Sequence, residues 1–167
     1  MRLTLIRHGE AGDDAPSDEQ RALTKKGRAD ARRVGRALAR RGVRFHAVIS
    51  SPLVRAVQTA ELVVGAMDQR VRITVSEALL PEARPTLAVA LIASLAHERS
   101  LALVAHEPIL SRLAAALLGL SKHPALRKGE ALRIRLADAT DPTGASRGKP
   151  GAARWRIDPH TGHRERL

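Results

Sequence analysis

The chain has 167 residues, 44% of them hydrophobic, which suits one domain with a real core and is too apolar for a disordered chain. It holds no cysteine, which excludes disulfides, thiol catalysis and thiolate metal sites, and its aromatics are Phe45 and Trp155 alone, too few for the stacking platforms of single-stranded nucleic-acid binders. The formal net charge of +12 attracts anions generally, but Arg28, Arg32, Arg33, Arg36, Arg40 and Arg41 fall on one predicted helix and read as a solvated face.

Residues 2–7 read as a buried strand that stops at a cation, an imidazole and a glycine, Arg7-His8-Gly9. A polar loop follows, and Thr24 is placed as the N-cap of a helix over 25–41, with Ala31, Val34 and Leu38 on its inner face and Gly42 beyond its end. Residues 46–50 form a second strand. Ser51-Pro52 reads as an N-cap with proline at N1, opening a helix to Met67. A short strand at 71–75, a helix at 86–97, an apolar strand at 101–105 and a helix from Pro108 to about Gly119 complete the alternation. Two strands at 131–137 and 153–158 then flank a long hairpin loop over 138–151, and residues 159–167 read as a polar, frayed tail. The expected fold class is α/β: a three-layer α/β/α sandwich around a mostly parallel sheet, as a single domain over residues 1–158.

In such sheets ligands bind beyond the carboxyl ends of the strands. Strand one ends at Arg7-His8, strand two at Ser50-Ser51 with Arg55 one turn into the next helix, and the 101–105 strand at His106-Glu107. Two histidines and two arginines then share one rim, with helix N-termini contributing N–H groups. Fork-shaped donors, positive potential and a nucleophile, with no clustered carboxylates, describe a pocket for phosphoryl transfer that calls for no metal and no cofactor. Glu10 and Glu107 read as orienting groups. His160 and His163 have a spacing open to metal binding but lie in the tail, where a solvated role is expected.

Four segments in order resemble the histidine phosphatase superfamily, which also holds the phosphoglycerate mutases: Arg7-His8-Gly9, Leu23-Thr24-Lys25-Lys26-Gly27, Ser51-Pro52-Leu53-Val54-Arg55-Ala56-Val57-Gln58-Thr59-Ala60, and His106 after its apolar strand. The short length, the 17–24 stretch and the strand pair around Trp155 resemble the SixA-like phosphohistidine phosphatases within it. The resemblance implies a phosphoglycerate mutase-like fold. It implies a phosphoenzyme at His8, with Arg7, Arg55 and His106 as catalytic partners and Gly9, Ser51 and Arg21 in substrate binding. Glu82, in the short connection 77–86, is the candidate proton donor. The expected activity is phosphatase action on a phosphohistidine-containing signalling or phosphocarrier protein. A small-molecule phosphomonoesterase is the alternative, and a non-catalytic anion or nucleic-acid binder a distant one. A cytoplasmic location is expected, and neither a nucleic-acid nor a membrane partner is, since the chain opens on no signal pattern and has no apolar run of spanning length.

Overall fold

A computed structural model of the chain describes residues 1–144 and 149–167. Alternation within its strands builds two cores. In β1 (Arg2–Arg7), Leu3 and Leu5 face one side of the sheet and Ile6 the other; in β4 (Ser100–Ala105), Leu101 and Leu103 face the first side and Ala102 and Val104 the second. Both strands are closed to solvent along most of their length, each fully buried leucine contributing roughly 1.5–3 kcal/mol.

Between them in sequence lie α1 (Lys25–Ala39), β2 (Ala47–Ser50), α2 (Val54–Ala66), β3 (Ile73–Val75), a 3-10 turn at Glu77–Leu79 and α3 (Pro85–Ser94). Then follow α4 (Ile109–Leu118), β5 (Ala131–Arg135), β6 (Ala152–Ile157) and β7 (Arg164–Arg166). α1 starts at Thr24, whose side chain accepts from the Gly27 amide, and buries Ala31, Val34 and Leu38, while Arg28, Arg32 and Arg36 stay outside. α4 ends at Gly119 in the left-handed conformation (φ 66°). α1 and α2 cover one face of the sheet with Val34, Leu38 and Val63; α4, with Ile109, Leu113 and Leu117, and α3, with Ile92, cover the other. This is the expected α/β/α sandwich. Among the described residues, no helix is long and apolar enough to cross a membrane.

The sheet runs β3-β2-β4-β1-β5-β6-β7. The first four strands are parallel and the other three join antiparallel, so the sheet is mixed. β4 inserts between β2 and β1, in a register that sets Arg7 opposite Ala105 and Ser50 opposite Val104. The three strand ends therefore stand side by side.

Two local expectations change. The second helix begins at Val54 rather than Pro52, with Leu53 at its N-cap position and no side-chain cap; Ser51 Oγ accepts from the Leu53 amide and meets His106 Nε2 instead of capping the helix itself. The tail is not frayed along its length: Asp158 Oδ1 accepts from the amides of His160 and Thr161, and the turn returns residues 164–166 to β6 as a seventh strand. The expected hairpin loop over 138–151 includes 145–148, which lie outside the described residues.

Candidate active site

His8 follows the last residue of β1. Its amide donates to the Ala105 carbonyl at 2.9 Å, so its backbone is still held by β4. Its Nδ1 lies 2.7 Å from the Gly9 carbonyl oxygen, an obligate acceptor, which places the ring proton on Nδ1 and leaves the Nε2 lone pair free. Burial, helped by the charges of Arg55, Arg7 and Lys128, lowers the His8 pKa from 6.5 to about 4. The imidazole is neutral at pH 7.

His106 follows β4, and its ring centroid is 4.8 Å from that of His8. Its Nε2 is 2.8 Å from Ser51 Oγ. Ser51 Oγ also accepts from the Leu53 amide at 3.4 Å; when its hydroxyl proton is donated to His106 Nε2, the imidazole proton sits on Nδ1. Burial, with the positive charges around it, lowers the His106 pKa to about 3. Its Nδ1 and Arg7 Nε are the buried side-chain atoms without a hydrogen-bond partner among the described residues. Both belong to this cluster, where unmet donors are costly unless a ligand accepts from them.

Arg7 is fixed by its terminal nitrogen, which donates to the Leu126 carbonyl at 2.7 Å. Arg55 is buried to 6% exposure and grips Asp18 twice, through the backbone carbonyl at 2.6 Å and the carboxylate at 2.8 Å. Thr59, one turn further along α2, accepts from the Gly9 amide at 3.0 Å and donates to the Arg55 carbonyl at 2.7 Å, joining the two segments. Gln58 Oε1 accepts from the Leu23 amide at 2.8 Å.

The turn after His8 rests on the start of α1. A Cβ on Gly9 would lie 2.9 Å from the Gly27 carbonyl, and one on Gly27 would collide with the Glu10 carbonyl. Thr24 adds its amide and hydroxyl to Glu10, as donors to the carbonyl and to the carboxylate, both at 2.9 Å. The Leu-Thr-x-x-Gly segment therefore shapes the backbone carrying His8.

A family model described as the histidine phosphatase superfamily (branch 1) matches residues 3–80. The structure of the protein histidine phosphatase SixA complexed with tungstate matches over 96% of this chain and 98% of that one, with a TM-score of 0.85 and 27% identity. The likeness to the histidine phosphatase superfamily is therefore carried by the family model over the first part of the chain and by the SixA fold over nearly all of it. Its sequence is also 39% identical over 66 residues to the mitochondrial serine/threonine-protein phosphatase Pgam5 of Drosophila persimilis, a stretch covering 40% of this chain and only 23% of that protein. The alpha-ribazole phosphatase from Shigella flexneri shares the fold, with a TM-score of 0.66 over 83% of this chain and 92% of that one at 22% identity.

The structure brings Arg7, His8, Gly9, Ser51, Arg55 and His106 to one rim. Arg21 sits further out, donating to the Gly12 carbonyl at 2.8 Å and pairing with Asp13 and Asp18, so that it holds the loop carrying Asp18. Glu82 is exposed in the turn before α3 and, among the described residues, forms no hydrogen bond or ion pair with the two histidines or the two arginines. Among the described residues no group of three or more His, Asp or Glu is placed to hold a metal ion; His160 instead faces Asp30 at 3.2 Å.

Sequence reasoning missed three contributors. Asp18 lies on Arg55, the Leu126 carbonyl fixes Arg7, and the Lys128 charge acts on His8. The 122–130 segment carries no apolar period or turn pair that would draw attention to it. Only its seating against β1, where the Gly129 amide donates to the His8 carbonyl at 2.9 Å, makes it part of the site.

Proposed function

We propose that this protein is a phosphatase that works through a phosphohistidine at His8 without a metal ion, acting on a phosphohistidine carried by another protein. The observation that carries the reading is the state of His8: a neutral imidazole, proton on Nδ1, with a free Nε2 lone pair beside Arg7, Arg55 and His106.

The reaction has two displacements. Nε2 of His8 attacks phosphorus in line; the new N–P bond forms as the bond to the leaving nitrogen breaks, and that nitrogen keeps the electron pair. A water oxygen then attacks the phosphoenzyme, the His8–phosphorus bond breaks, inorganic phosphate leaves and the lone pair returns to Nε2. Arg7 Nε, His106 Nδ1 and the Arg55 guanidinium supply donors for the phosphoryl oxygens. Losing one such donor typically costs on the order of 10²–10³ in rate. SixA was solved with tungstate, a tetrahedral oxyanion, in keeping with an oxyanion pocket on this fold.

The substrate class is supported by where the carboxyl groups are. An alkoxide leaving group needs a proton donor, whereas the imidazole of a phosphohistidine leaves readily. Hydrogen bonds from Arg55 and Arg21 hold Asp18 below the usual carboxylate range, so it is ionised at neutral pH and has no proton to give. Glu107 accepts from Leu126 and Ser111, Glu10 from Thr24, and Glu82 stands exposed on its turn. SixA and Pgam5 are protein phosphatases by name, which agrees with a protein substrate.

The test is phosphate release from a phosphohistidine protein against a panel of phosphomonoesters, with and without EDTA. Faster turnover of the phosphohistidine protein, unaffected by EDTA and abolished in His8→Ala, is expected. Preference for a phosphomonoester would move the assignment to a small-molecule phosphatase, and wild-type turnover by His8→Ala would overturn the mechanism.

A further inference from the structure

At the other end of the sheet from His8, a concave site of about 1330 Å³ opens where β1, β2 and β4 begin, walled on one side by β6 and β7. Nine of its lining residues are arginines, and Glu98 is the one acidic side chain among them. Each arginine near the active-site rim described above has a carboxylate or a backbone carbonyl. Here, among the described residues, none of the nine is paired with a carboxylate; the nearby acid, Glu98, faces His97 at 3.5 Å.

Arg133 is the decisive member. It projects from β5 and is buried to 6% exposure. Its guanidinium donates to two hydroxyls, Thr4 Oγ1 at 2.6 Å and Ser100 Oγ at 3.4 Å, and lies 5.9 Å from the centre of the Trp155 ring. Hydroxyls orient a guanidinium but do not neutralise it. Burial, with the nearby Arg2, draws its pKa down to about 10, so it remains charged at neutral pH. A buried cation without a counter-charge costs several kcal/mol, and an anion in the concavity is the missing partner.

We infer that this basic concavity is a second anion site, distinct from the His8 pocket, and that it takes a small molecule carrying two or more linked phosphates. Guanidinium forks match phosphate oxygens in geometry, and a polyphosphate chain brings several negative charges into a compact volume. A lone carboxylate or orthophosphate would leave most of the arginines unanswered. A nucleic-acid duplex spreads its phosphates along a wide rod and would meet the exposed rim, such as Arg44 and Arg154, without reaching Arg133 on the floor.

Trp155 lines the site and is the only tryptophan of the chain, so its fluorescence reports on this site alone. The experiment titrates the whole protein with inorganic tripolyphosphate at 150 mM salt, with orthophosphate, ATP and a 20-base-pair DNA duplex as parallel arms. A saturable change in Trp155 emission is expected, with tripolyphosphate at least tenfold tighter than orthophosphate. ATP binding tighter than tripolyphosphate would mark a nucleotide as the source of the phosphates, and equal binding a simple polyphosphate. Affinity should fall at least tenfold in the Arg44→Glu/Arg154→Glu double variant, which keeps wild-type phosphatase turnover, and persist in Arg55→Ala, which disables the other pocket. Calorimetry on the same three proteins detects binding that leaves the fluorescence unchanged. No saturable binding by either method, loss in Arg55→Ala but not in the double variant, or a duplex that outcompetes tripolyphosphate would each overturn the inference.

Discussion

Glu107 and Arg7 do not touch, yet one residue joins them: Glu107 Oε1 accepts from the Leu126 amide at 2.8 Å, and the Leu126 carbonyl accepts from Arg7 at 2.7 Å. The other oxygen of Glu107 accepts from the Ser111 hydroxyl at 2.6 Å, which ties the relay to the first turn of α4. Asp18 takes the opposite course and binds its arginine, Arg55, directly. One carboxylate sets an arginine in place and the other occupies one.

Glu107→Ala removes the acceptor that holds Leu126 and lets Arg7 drift. kcat/KM is expected to fall about 10- to 100-fold, since misplacing a positioned group by about 1 Å costs on that order. Glu107→Gln keeps an oxygen for the Leu126 amide and should recover most of the loss. Steady-state kinetics on both variants checks this; equal losses in Ala and Gln would show that the charge, not the relay, matters.

Asp18→Asn removes the charge that competes with phosphate for Arg55. Because the Asp18 side chain is 57% exposed, the ion pair is screened and the effect is modest. Inhibition by orthophosphate or vanadate should tighten about two- to fivefold. Inhibition constants that do not change would mean Arg55 already releases Asp18 without cost.

The two histidines give a pH signature. His8 is lowered to about 4 and His106 to about 3, chiefly by burial, against an ordinary 6.5. Below pH 6.5 the unfolded chain therefore binds more protons than the folded one. Their contribution to stability is complete above pH 6.5 and is lost as the pH falls through the window from 6.5 to the folded values. Tm should decline across that window, less so in His8→Asn. Activity needs neutral His8, so the acid limb of kcat/KM, corrected for substrate ionisation, should lie near 4. A limb near 6.5 would mean that His8 takes up its proton as an exposed imidazole does.

Gly27→Ala drives a Cβ into the Glu10 carbonyl, a backbone atom that cannot swing aside. The expected cost is about 1–3 kcal/mol of stability, seen as a lower Tm in thermal unfolding, with loss of turnover as the Arg7–Glu10 turn is displaced. A variant with wild-type Tm and activity would show that α1 can retreat from that turn.

Much of the rim was legible because its determinants are local. Apolar runs that break off at Arg7-His8, Ser50-Ser51 and His106 mark strand ends, and Thr24 marks a helix start, each from a few adjacent residues. The seventh strand was not legible, because Arg164–Arg166 has no apolar alternation and is a strand only through its bonds to β6. Ser51 misled for a related reason: its sequence context is that of a helix cap, but a histidine 55 residues away takes its hydroxyl.

By itself, the sequence determined the α/β alternation, the two histidines and two arginines at strand and helix ends, and the excess of positive charge. Propensity, period and composition act over short spans and are written in the chain. The tertiary structure alone decided that β4 lies between β2 and β1, which brings His106 within 4.8 Å of His8 between ring centres, that Asp18 occupies Arg55, and that Arg133 is buried without a counter-charge. Those facts depend on strand order, register and desolvation. Each arises from residues distant in sequence meeting in a space closed to water, and no local pattern encodes it.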